Sequence, residues 1–103
     1  MSRKAPAKMD VRLAWNAWTA SGSADAAAEF LDRIGSWTEG TAAQLTRGAT
    51  RHLGCRLTRD EVADRLRFHL GVVAGGEPVT YVEALGLARQ NVIEELRSGT
   101  RSA

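Results

Sequence analysis

Apolar residues recur at helical spacing near the start of the sequence. Four of them follow one another at i, i+3, i+4 and i+7, the spacing of one helical stripe. They are Val11, Ala14, Trp15 and Trp18. With Asp10 as its N-cap, this stripe predicts a first helix over residues 10–20. A second stripe predicts a helix between the cap Ser23 and the terminator Gly35, which leaves Trp37 in a connecting turn.

The middle of the sequence predicts two further helices, each opened by a capping box. Thr41 with Gln44, and Thr58 with Glu61, have the spacing at which two side chains satisfy each other's backbone amides. The third helix is therefore expected to begin at Thr41 and the fourth at Thr58. Within the fourth helix, Arg65 lies one turn after Glu61, which predicts an ion pair between them.

Residues 71–82 have two interpretations. Their small and β-branched residues fit a hairpin, which after a helical pair would make a winged helix. Thr80 and Glu83 instead form a third capping box, followed by an apolar stripe that predicts a helix over residues 81–97, ended by Gly99. We favour the helix. The predicted fold is all-α, a single small domain of four to five short helices, with the winged-helix variant as its alternative.

Composition fits one domain without covalent staples. The chain has 103 residues, 44% of them hydrophobic and 25% charged, and its one cysteine has no partner for an internal disulfide. We expect a flexible basic arm at residues 1–9, the helical domain at residues 10–99 and a frayed tail at residues 100–103. Because no apolar run is long enough to span a membrane, we expect no membrane partner and a location in the cytoplasm.

Charge is distributed in blocks, although the net charge is only +2. Residues 1–12 carry +3, residues 13–46 carry −3 and residues 47–67 carry +3. The last block overlaps the third and fourth predicted helices, and helix-turn-helix proteins place such a helical pair against DNA. The primary hypothesis is therefore a small DNA-binding transcription regulator of bacterial or phage origin. Its expected nucleic-acid contacts are Arg47, Arg51, Arg56, Arg59 and Arg67.

The alternative hypothesis is a protein-protein interaction module. Tryptophan and arginine are enriched at binding hot spots, and one short helix rarely buries two indoles completely. The near-neutral net charge and the acidic second helix favour this function, as a homo-oligomeric assembly component, an adaptor or an inhibitor, of viral or mobile-element type. Its expected interface residues are Trp15, Trp18, Trp37 and Arg89, the last of which lies by helical angle on the inner stripe of its helix.

Metal and enzyme chemistry have less support. His52, Cys55 and His69 are the available soft ligands, but they lack the paired spacing of a zinc site, and both histidines fall on apolar stripes. A Cys-His pair also lacks a recognisable orienting residue or oxyanion-hole motif. We therefore expect no metal, no cofactor and no enzymatic activity.

Overall fold

The computed structural model describes the backbone of residues 7–53 and 57–102, and the side chains of residues 11–51 and 57–98. Over these residues the chain forms five α-helices and one π-helical segment, with no strand. They are α1 (Ala7–Ser21), α2 (Ala24–Arg33), α3 (Gly35–Gly48), the π-helical segment Ala49–Leu53, α4 (Arg59–Ala74) and α5 (Tyr81–Ser102). The all-α prediction is confirmed. Residues 71–82 hold the end of α4, a turn and the start of α5, and no hairpin.

The start of α3 differs from the prediction. A single residue, Ile34, separates α2 from α3, so Gly35 opens a helix and Trp37 lies within it instead of in a turn. Gly35 does not stop the helix because it does not adopt the left-handed conformation; among the described glycines only Gly22 has a positive φ. Thr41 is therefore a buried residue inside α3, and the capping box predicted there is wrong.

The two other capping boxes are confirmed. The Thr58 hydroxyl accepts from the Glu61 amide at 3.1 Å, and the Glu61 carboxylate accepts from the Thr58 amide at 2.8 Å. The Thr80 hydroxyl accepts from the Glu83 amide at 3.2 Å, with the reciprocal bond at 3.0 Å. Each box satisfies amides that a helix start would otherwise leave unpaired.

The C-terminal end of α5 differs from the prediction. The helix continues through Gly99 to Ser102, so the predicted stop at Gly99 is wrong.

Two apolar cores lie along the α4–α5 hairpin, and both helices contribute to each. The first core joins the hairpin to α1 and α2, and its buried members are Val11, Ala14, Trp15, Phe30, Ile34, Leu70, Ala84 and Ala88. The second joins the hairpin to α3, and its buried members are Ala42, Leu45, Ala49, Val62, Ala63, Leu66, Val92 and Leu96. Trp37 packs against both cores, so it ties the two ends of the molecule together.

Trp15 fixes the turn between α4 and α5. Its indole is only 2% exposed, and its Nε1 donates a 2.9 Å hydrogen bond to the carbonyl of Val79. The ring also contacts Trp18 and Phe30, with centroids 5.6 and 5.0 Å away. A buried indole that pairs its N–H in this way both fills the core and holds a loop.

No helix among the described residues combines the length and apolar character that crossing a bilayer requires.

Two glycine substitutions should change stability in opposite directions. A Cβ added at Gly86, inside α5, would meet no atom within 4 Å, so Gly86→Ala should raise the free energy of unfolding by about 0.5–1 kcal/mol. Gly22 follows the end of α1 with a φ of 68°, a conformation that alanine adopts only with strain. Gly22→Ala should therefore lower the free energy of unfolding by about 1 kcal/mol. Urea denaturation measures both, and a loss of stability in Gly86→Ala would contradict the packing of α5.

Candidate nucleic-acid interface

The two arginines predicted on α3 and its π-helical extension are exposed. Arg47 lies in the last turn of α3 and Arg51 in the π-helical segment that follows. Neither forms an ion pair with a carboxylate among the described residues, whereas Arg33 is held by Glu29. Their guanidinium groups therefore keep their hydrogen-bond donors available.

The arginines predicted on α4 lie among acidic residues. Arg67 pairs with Asp64 at 2.7 Å, and Arg59 is followed directly by Asp60 and Glu61. The exposed side of α4 thus carries both signs of charge. Arg56 lies outside the described residues.

Arg65 is engaged in an ion-pair network between α4 and α5. Its Nε donates to Glu95 Oε1 at 3.0 Å, its Nη2 donates to the other carboxylate oxygen, and its guanidinium carbon lies 4.6 Å above the ring centre of Phe68. His69 Nε2 lies 3.1 Å from the same carboxylate. The predicted pair of Arg65 with Glu61 is wrong, because Glu61 caps α4 and the fold brings Glu95 within reach.

This network lowers the pKa of Glu95 below the ordinary value of a glutamate carboxyl, chiefly through the hydrogen bonds from Arg65. The folded state therefore keeps Glu95 ionised at a pH where the unfolded chain takes up a proton. The contribution of this pair to the free energy of unfolding is therefore fully present above the pKa that Glu95 has in the unfolded chain. It is lost as the pH falls through the lower pKa that Glu95 has in the folded protein.

Glu95→Gln should lower the free energy of unfolding at about pH 7 and have a progressively smaller effect below about pH 4. Urea denaturation across this range measures the difference. Glu94→Gln is the matched control, since the Glu94 carboxylate contacts Gln90 of its own helix and joins no other helix. A Glu95→Gln effect of the same size at every pH would contradict the linkage.

A groove of about 420 Å³ runs between α3 and α5. Its floor and walls are formed by Gln44, Leu45, Gly48, Ala49, Arg89, Ile93, Leu96 and Arg97. No carboxylate is among its described lining residues, and neither of its arginines pairs with a described acidic residue. The structure thus corrects the position of Arg89, which is exposed on the groove rim rather than on the inner stripe. Sequence reasoning missed Arg97, although the spacing of Arg89, Ile93 and Arg97 at i, i+4 and i+8 marks one row of a helix.

The predicted interface tryptophans differ in exposure. Trp15 is a core residue with almost no surface to offer a partner, while Trp18 and Trp37 are half-buried.

The exposed, large apolar side chains of the α4–α5 hairpin were not predicted from the sequence. Phe68 and Val72 on α4 are 53% and 55% exposed, and one turn separates them. Their i, i+4 spacing outside the inner stripe is the signal that could have found them.

The described residues hold no group of three or more potential metal ligands. His69, the one candidate ligand whose side chain is described, faces Glu95. Cys55 and the side chain of His52 lie outside the described residues.

Comparison of the chain with protein-family models, curated proteins and solved structures finds no match. Function is therefore inferred from the side chains that this fold brings together.

Proposed function

We propose that this chain is a small non-enzymatic DNA-binding protein with a regulatory role, and that the end of α3 and the π-helical segment after it carry its primary contacts. The observation that supports this proposal is that Arg47 and Arg51 are exposed and without a carboxylate partner among the described residues. Arg33, Arg65 and Arg67 are engaged with carboxylates, whereas Arg12, Arg59, Arg89 and Arg97 resemble Arg47 and Arg51 in having no ion pair among the described residues.

Phosphate binding accounts for this difference in pairing. A guanidinium that already pairs with a carboxylate must give up that contact before it can bind an anion. An unpaired, exposed guanidinium has no such contact to lose, and duplex DNA offers one negative charge for about every 1.7 Å of its axis. Arg47 and Arg51 are one helical turn apart, so both can face the same strand.

The contact mode that we propose differs from a helix-turn-helix. In that motif a recognition helix enters the major groove and reads base edges with its side chains. One exposed row of α4 carries Asp60, Asp64, Phe68 and Val72, and the neighbouring Arg67 already pairs with Asp64. We therefore place the contacts on α3 and not on α4.

Arg47→Gln combined with Arg51→Gln should weaken duplex binding and reduce its dependence on salt. Each lost phosphate contact should lower the slope of log K against log salt by about 0.9, or by about 1.8 for the pair. Fluorescence anisotropy with a labelled duplex at several salt concentrations measures the slope. Arg33→Gln, which removes an arginine that pairs with Glu29, is the control and should leave the slope unchanged. Absence of wild-type binding at low salt would contradict the proposed function.

A protein-interaction function is the second candidate. It is favoured by the exposure of Phe68, Val72 and Leu87 on the α4–α5 hairpin, since half-exposed large apolar side chains are common at binding surfaces. The cation next to Phe68 is already engaged, because Arg65 is held over the Phe68 ring and by Glu95. If DNA does not bind, this is the function that the remaining observations support.

A further inference from the structure

We propose that the groove between α3 and α5 binds the phosphate backbone of DNA, with Arg89 and Arg97 as contacts, and that binding is independent of base sequence. This inference rests on the proposed function, because it extends the contact surface from α3 to a second helix. Neither arginine belongs to the cluster that the sequence analysis assigned to DNA.

The arginines have the spacing that a backbone contact needs. Arg89 and Arg97 are eight residues apart on α5, which corresponds to about 12 Å along the helix axis. One DNA strand carries a phosphate for about every 3.4 Å of duplex axis, so this row reaches more than one phosphate. Gln44 and Gly48 form the opposite wall, and Arg47 and Arg51 lie next to this wall in sequence.

The groove favours an anion over other ligands. Among the lining residues that the structure describes, the two charged side chains are both cationic, and the others add apolar surface, one glycine and one amide. Arginine binds phosphate with paired, charge-assisted hydrogen bonds. A nearby acidic side chain, Glu94, accepts a hydrogen bond from Gln90 and does not line the groove.

The same composition argues against base readout. Reading base edges requires polar side chains on an element that protrudes into a DNA groove. Here the site is recessed between two helices, and Gln44 is the one uncharged polar side chain among its described lining. That lining also holds no aromatic ring, so it offers no stacking platform of the kind that single-strand binders use. Backbone contact to a duplex is the mode that remains.

Gly48 allows the groove to be altered without disturbing the fold. A Cβ at this position would meet no atom within 4 Å, and any side chain is a better helix former than glycine, except proline. Gly48→Glu therefore adds a carboxylate to the groove that the two arginines line, at a position where the new Cβ meets no neighbouring atom. Gly48→Ala is the matched control for the added side chain.

The test measures binding of the full chain to two duplexes of about 20 base pairs and unrelated sequence, across a salt series. Gly48→Glu should weaken binding by about tenfold at low salt, while Gly48→Ala should bind as the wild type does. Arg89→Gln with Arg97→Gln should lower the salt slope by about 1.8. The control is Arg33→Gln with Arg67→Gln, which removes two arginines that already pair with carboxylates and should leave the slope unchanged. Both duplexes should bind equally, and circular dichroism should show all variants folded.

The outcomes separate the inference from the proposed function. Binding that survives Gly48→Glu and the Arg89, Arg97 double variant would overturn the groove and leave DNA binding by α3 intact. A strong preference for one duplex would overturn sequence-independent binding. An equal loss of slope in the Arg33, Arg67 variant would overturn the assignment of the phosphate contacts to the groove. Failure of the wild type to bind either duplex would overturn both proposals.

Discussion

Packing against both sides of a single helical hairpin is the constraint on which the rest of this structure depends. α4 and α5 supply buried residues to both apolar cores, so α1 and α2 can pack at one end and α3 at the other only while the hairpin holds its register. That register is fixed where α4 meets α5 by Arg65 with Glu95, and at the turn by Trp15 with Val79. Trp37, which contacts both cores, couples the two ends.

The same packing determines which charges remain available. Contacts between α4 and α5, and within α4, engage Arg65 and Arg67 with carboxylates. α3 packs on α4, and the π-helical segment that follows α3 contacts α5. This arrangement leaves a groove between α3 and α5 that is lined by apolar residues and by Arg89 and Arg97, with no acidic residue among its described lining. A chain with a net charge of only +2 thereby presents a locally cationic groove.

The features that the sequence predicted correctly depend on neighbouring residues. The capping boxes at Thr58 and Thr80 need only side chains three positions apart, so they can be read from the sequence. The start of α3 could not be predicted, because tertiary burial of Thr41 outweighs its preference for a cap. The environment of Arg89 depends on where α3 packs, and the partner of Arg65 lies thirty residues away. The candidate site is therefore a product of tertiary packing, which the helical pattern alone does not contain.

The most direct test of the central claim is to map the DNA contact surface by nuclear magnetic resonance, with the isotopically labelled chain titrated with a short duplex. This structure predicts that the amide signals of Gln44, Gly48 and Ile93 shift, because these residues line the groove between α3 and α5. It also predicts that the signals of Asp64 and Phe68, on the exposed side of α4, stay in place. Shifts confined to Asp64, Phe68 and their α4 neighbours would contradict the account.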